Sequence, residues 1–186
     1  SSDVCSSDLD HARRQPRAGD GAGAEGREQQ AETARAHGVL TLLNPAPAMP
    51  LPDALWPLVD VLTPNEGELL MLADATDIDT AAHQLLQRGV GAVVVTLGER
   101  GCALFRSGAA PVQVPGHAMQ VVDTIGAGDT FTGTLAAALA RQTPWPQALR
   151  WANAAAALST QAHGAVTAMP TQSRVQAWLQ QPATTV

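Results

Sequence analysis

The sequence predicts an α/β protein built on a mostly parallel sheet. Three observations lead there. Apolar runs of buried-strand length, at residues 39–43, 59–62 and 92–97, alternate with helix-like segments at 66–73 and 80–88. Gly38 and Gly89 stand where the helical segments before them should close. Finally, 186 residues with 45% hydrophobic content allow one sizeable core but hardly two.

Taken in order, residues 1–30 read as a leader outside the fold. They repeat Ser-Ser-Asp, then run through Gly- and Arg-rich sequence without strand or helix periodicity. Ser1 to Leu9 looks adapter-like, and the part after it looks like a shifted reading frame. Gly21 to Gly26 formally matches the G-x-G-x-x-G dinucleotide pattern, but no β-like run precedes it to set those glycines on a strand-to-helix turn. The globular domain is expected over 31–186. It opens with a short helix from Ala31 to His37, followed by the strand at 39–43. Cys102 to Phe105, Val112 to Val114 and Met119 to Val122 are shorter and interrupted by Gly and Pro, which suits antiparallel strands at one edge. Three helices end the chain. Phe131, Leu135 and Leu139 mark the first, Pro144 and Pro146 break it from the second at Leu149, Ala152 and Ala156, and the third starts near Thr171 with Val175, Trp178 and Leu179 on one face.

Composition removes several classes of function. All 11 residues of the Lys plus Arg count are Arg, so neither a lysine Schiff base nor the lysine of a Walker A loop is available. With a net charge of −6 and scattered arginines there is no basic stripe to neutralise a nucleic-acid backbone. The two cysteines, Cys5 and Cys102, and the five histidines show no metal-ligand spacing, and surface or packing roles are expected for the histidines, His163 included. The apolar runs are far shorter than the ~20 residues a membrane helix needs. A cytoplasmic protein with small-molecule partners is expected, with neither nucleic acid nor membrane among them.

The strongest chemical signal is the run Val121 to Phe131, in which a strand leads through Asp123-Thr124-Ile125-Gly126-Ala127-Gly128 into a helix carrying Asp129. Free amides at a helix start, the positive end of the dipole and the small residues Gly126, Ala127 and Gly128 let an anion sit against the backbone without a lysine. Asp129 would place a carboxylate beside that anion, where a hydroxyl attacking phosphorus needs a proton acceptor. On the turn alone an equally good reading is a plain cap, since Asp is a preferred cap residue. Other polar residues shift the balance: Asn65, Glu66, Glu68, Thr96 to Gly101, Asp123 and Asn153 fall at strand ends or helix starts, the edge where α/β sheets bind ligands.

With these motifs in place, the chain from Ala31 to Leu179 resembles the carboxy-terminal portion of the ribokinase family, the PfkB-type carbohydrate kinases. The matching segments are Leu43 to Ala48, Leu62 to Glu68, Thr96 to Gly101, Asp123 to Phe131 and Ala152 to Ala157. The resemblance implies a three-layer αβα ribokinase-like sheet, mostly parallel with an antiparallel edge. It implies ATP-dependent phosphorylation of a sugar's primary hydroxyl, D-ribose foremost, with another sugar or an inactive nucleotide-binding remnant as alternatives. Asp129 would be the general base, Gly126, Ala127 and Gly128 the anion hole. ATP would be bound by Asn65, Thr96, Leu97, Gly98, Glu99, Arg100, Gly101 and Asn153 together with Gly128 and Asp129. The segment from Asn65 to Glu68 would help organise Mg²⁺, with Glu68 acting indirectly; a capped helix entry is the alternative for those residues. A K⁺ activator would lie by Asp123, Ile125, Ser159, Ala162, Gly164 and Ala168. The family's amino-terminal half, with its sugar-binding Gly-Gly segment and lid, is not recognisable here, and full-length members are expected to be homodimers.

Overall fold

A computed structural model describes residues 21–180. Five strands form one mixed, mostly parallel sheet in the order β1-β2-β3-β4-β5: β1 (Leu42–Leu43), β2 (Val61–Leu62), β3 (Ala92–Thr96), β4 (Cys102–Arg106) and β5 (Val112–Val114). The β1–β2 and β2–β3 pairs are parallel, with Leu42 opposite Val61 and Leu62 opposite Val93. Chain contacts divide the described residues into two compact units. The first runs to Thr96 and includes Ala103–Val112; the second comprises Leu97–Cys102 and the chain from Gln113 onward.

In the first unit the sheet centre is fully apolar. Leu62, Val93, Val94 and Val95 are buried, as is Leu69 of helix α2 (Glu66–Ala73) and Leu85 of helix α3 (Ile78–Gln87). This is the continuous hydrophobic pattern of parallel strands covered on both faces. The register of β1 on β2 is pinned at its start by one carboxylate. Asp60 Oδ2 accepts from the Thr41 amide at 2.7 Å and from the Thr41 hydroxyl at 2.9 Å, and that hydroxyl accepts from the Asp60 amide at 2.9 Å. The second unit is helical: α4 (Ala127–Ala140) and α5 (Trp145–Ser159) pack together through buried Phe131, Leu135, Leu149 and Ala152, and α6 (Gln172–Leu179) adds Val175 to the α5 face. Pro146 lies in the first turn of α5, where its missing amide costs no intrahelical bond. Among the described residues no helix is long and apolar enough to cross a membrane.

Two sequence expectations are corrected. The boundary between 30 and 31 falls inside helix α1 (Gly21–Ala36), which begins ten residues before the short helix expected at Ala31. Its Glu, Gln, Arg and Ala residues favour a helix enough to outweigh the glycines, and Ala31 and Ala34 give it a buried stripe. The Gly21 to Gly26 pattern is therefore helical, not a strand-to-helix turn. The leader expectation for residues 1–20 lies outside the described residues. The second correction concerns Met119 to Val122, which form no strand. The main chain there is held by a helix end instead: the amides of Val122 and Asp123 both donate to the Thr160 carbonyl, at 2.8 and 3.1 Å.

Candidate functional site

The second unit holds the turn at Asp123 to Asp129. Gly126 is the N-cap of α4 at φ 77°, a left-handed conformation that L side chains avoid. A Cβ there would come within 2.7 Å of the Ala165 Cβ, so two loops are packed backbone to backbone at the mouth of the helix. The Thr130 amide and hydroxyl both donate to the Gly126 carbonyl at 2.9 Å, which starts the helix cleanly. Of the amides expected to line an anion hole, that of Ala127 already donates to Thr124 at 3.2 Å. The Gly128 amide follows at the second helical position, with open space where a side chain would stand. Asp129 is the third helical residue, exposed on the first turn.

Asp123 braces the same turn from below. Its Oδ1 accepts from the Ile125 amide at 2.9 Å and its Oδ2 from the Gly164 amide at 3.2 Å. Those two bonds, with His163 nearby, hold its carboxyl below the usual range. His163 Nδ1 is 3.8 Å from Asp123 Oδ2, a pairing that no spacing in the sequence signals. Of the other K⁺ positions, Ser159 is buried with its hydroxyl donated to Ala156 at 2.7 Å, the Gly164 carbonyl accepts from Ala168 at 3.1 Å, and Ala162 is exposed. Among the described residues no group of three or more His, Cys, Asp or Glu side chains could hold a metal.

The loop from Leu97 to Gly101 closes on itself, the Leu97 amide donating to the Gly101 carbonyl at 2.8 Å. It crosses the strap at Val114 to Gly116 with no room for side chains. A Cβ on Gly101 would fall on the Val114 carbonyl, and one on Gly116 would fall on the Glu99 carbonyl. Glu99 and Arg100 remain exposed on the loop's outer side. Asn153, buried in α5, donates through Nδ2 to the Pro115 carbonyl at 2.7 Å, so its carboxamide holds the strap that carries the loop. Sequence reasoning missed this partner, which lies 38 residues away in the chain.

The remaining residues lie in the first unit. Asn65 and Glu68 form a reciprocal capping box on α2: the Glu68 amide donates to Asn65 Oδ1 and the Asn65 amide to Glu68 Oε2, each at 2.8 Å. Thr96 at the end of β3 forms a parallel bridge with Asn65, and its amide donates to the Pro64 carbonyl at 2.9 Å. The structure thus gathers Asn65, Glu68 and Thr96 in one group, and the 97–101 loop, the 123–129 turn, Asn153 and the 159–168 segment in the other.

Comparison with known proteins gives this geometry a context. The pattern of the pfkB family of carbohydrate kinases matches residues 20–172. The chain is 37% identical over 160 residues to the ribokinase of Haemophilus influenzae, which covers 83% of this chain and 52% of that protein. A fructokinase of Vibrio alginolyticus is 36% identical over 125 residues, 63% of this chain and 40% of that one. Among solved structures, Arabidopsis thaliana ribokinase complexed with ribose and ATP superimposes with a TM-score of 0.82 at 36% identity, covering 86% of this chain and 53% of that one. The chain spans about half the length of the relatives it matches.

Proposed function

The chain belongs to the pfkB family of carbohydrate kinases, and on that premise we propose that it carries the phosphoryl-transfer half of an ATP-dependent sugar kinase, with D-ribose the substrate. The observation that carries this reading is the start of α4, where a glycine with left-handed backbone, an open second helical position and an exposed carboxylate follow one another within four residues. A phosphoryl group set against the Gly128 amide would meet the positive end of the helix dipole. Asp129 would then take the proton from the attacking primary hydroxyl as the new P–O bond forms and the bond to the ADP oxygen breaks. The Leu97 to Gly101 loop is the counterpart that would line the nucleotide, with Asn153 acting as its positioning residue through Pro115.

Bound Mg²⁺ would supply charge neutralisation on the phosphates. Glu68 fits an indirect part in that, since a carboxylate spending Oε2 on the Asn65 amide retains Oε1. A K⁺ ion would use the carbonyls around the braced Asp123. Ribose is preferred over fructose because the Haemophilus ribokinase match runs over 160 residues and the Vibrio fructokinase match over 125.

The test is ADP formation from ATP with ribose or fructose present, set beside calorimetric binding of ATP without sugar. Ribose-stimulated ADP release that falls by about 10²-fold or more in Asp129→Asn supports the kinase. A second reading, ATP binding without sugar turnover, is favoured by the 52% coverage of the Haemophilus relative; it predicts a binding isotherm and no ribose-dependent ADP. No ATP affinity would overturn both.

A further inference from the structure

Just past Pro115, whose carbonyl Asn153 holds, His117 seats its ring against α6. The imidazole and the Trp178 indole meet edge to face, with centroids 4.4 Å apart and planes at 80°. Trp178, with Met119 and Leu179, packs on the apolar cluster of Ala154, Ala155, Leu158 and Val175 that joins α5 to α6. Among the described residues nothing hydrogen-bonds the His117 Nε2, which is shut off from solvent. A neutral ring tolerates that, because its proton can reside on Nδ1 and leave Nε2 bare. An imidazolium carries a proton on both nitrogens, and Nε2–H would then be a buried, charged donor with no acceptor.

The neighbouring elements offer that charge no counter-ion. The titratable group of α5 is Arg150, whose guanidinium repels a proton on His117; α6 carries only Arg174, and His117 is the only titratable residue of segment 113–119. Glu99 and Arg100, on the crossing loop, are exposed. Burial first, and Arg150 second, hold the His117 ring below the ordinary imidazole range. The docked strap therefore binds the proton more weakly than an undocked one. Docking is complete above about pH 6.5 and weakens as pH falls from there through the depressed docked value, by at most about tenfold per pH unit.

The strap in turn supports the loop at 97–101. Gly116, next to His117, lies so close to that loop that a Cβ on it would fall on the Glu99 carbonyl. We propose that His117 is a positioning residue for the nucleotide loop that acts only as the neutral ring: proton uptake at Nε2 lifts the strap off α6, frees the loop and lowers ATP affinity in acid. This is a regulation of the proposed kinase site, and it rests on the reading of the 97–101 loop as the one that lines the nucleotide.

The test is amide hydrogen exchange of the full chain, corrected for the intrinsic pH dependence of exchange, at about pH 7.5 and about pH 5, on either side of the imidazole range. It is read at Leu97, whose amide donates to Gly101, and at Gly101, whose amide donates to Gly98. The His117 ring titration is followed by NMR and ATP binding by calorimetry. Protection at both amides should fall about fivefold or more in acid, in step with the ring titration. ATP affinity, taken relative to His117→Phe, should fall with it. In His117→Phe, whose ring keeps an edge for Trp178 but takes no proton, protection should stay level. Arg150→Gln, at an exposed position of α5, brings the ring titration nearer its ordinary range and should make the acid loss smaller. An equal acid loss in the native and His117→Phe chains overturns the proposal, and so does protection that stays level while the His117 ring titrates. A loss unchanged in Arg150→Gln while the ring titration moves also overturns it, whether or not His117→Phe folds. Acid loss of loop protection in a chain without ATP affinity at either pH upholds the response of the strap to protons while counting against the kinase reading.

Discussion

Gly126 and Ala165 meet so closely that one methyl group decides the local fold. Gly126→Ala adds a Cβ at φ 77° and 2.7 Å from the Ala165 Cβ, so it should destabilise the chain by roughly 1–3 kcal/mol in thermal or urea unfolding. Ala165→Gly in the same chain should recover only a small part of that loss, because the Ala165 Cα at 2.8 Å and the left-handed φ both remain. Asp123 makes a second prediction at this scale. Its carboxyl is held below the ordinary range by the Ile125 and Gly164 amides, so its folded value lies below that of the unfolded chain, about 3.9. The bonds therefore stabilise the fold fully above that value and lose their contribution as pH falls through the depressed folded value. Urea midpoints of the native chain and Asp123→Asn should be well separated at about pH 6 and converge toward about pH 2. A constant separation would show that Asp123 acts through packing alone.

At the scale of elements, the start of α2 carries two roles that substitution can separate. Glu68→Gln keeps an acceptor for the Asn65 amide and so keeps the capping box, whereas Glu68→Ala breaks it. Unfolding should show Glu68→Ala less stable by about 0.5–2 kcal/mol and Glu68→Gln nearly unchanged. A drop in Mg²⁺-dependent turnover for Glu68→Gln would then report the carboxylate itself. The same element shows how much was legible from residue order. Asn-x-x-Glu before an apolar run signals a capped helix because each partner lies within one turn. The segment at 119–122 misled for the converse reason: its apolar residues read as a strand, yet its amides find the end of α5 some forty residues later in the chain. Helix α1 was obscured by its glycines, whose cost is local, while the buried stripe of Ala31 and Ala34 that supports it depends on packing.

Across the molecule, the mostly parallel sheet was legible because each parallel strand is a short apolar run closed by a turn, whereas the order of its strands comes from the structure. The turn at Asp123 to Asp129 was legible because Gly126 supplies its left-handed step, which L side chains avoid. What the pattern withheld was the choice of individual partners: that the Ala127 amide donates to Thr124, that His163 lies 3.8 Å from the Asp123 carboxylate, and that Asn153 donates to Pro115. Those choices depend on which segments meet, and adjacent residues carry no record of them.

Where the 97–101 loop crosses the 114–116 strap, main chain rests on main chain. The path of that loop is thus written in glycines and one carboxamide. A single added carbon at Gly101 or Gly116 would pry the crossing apart.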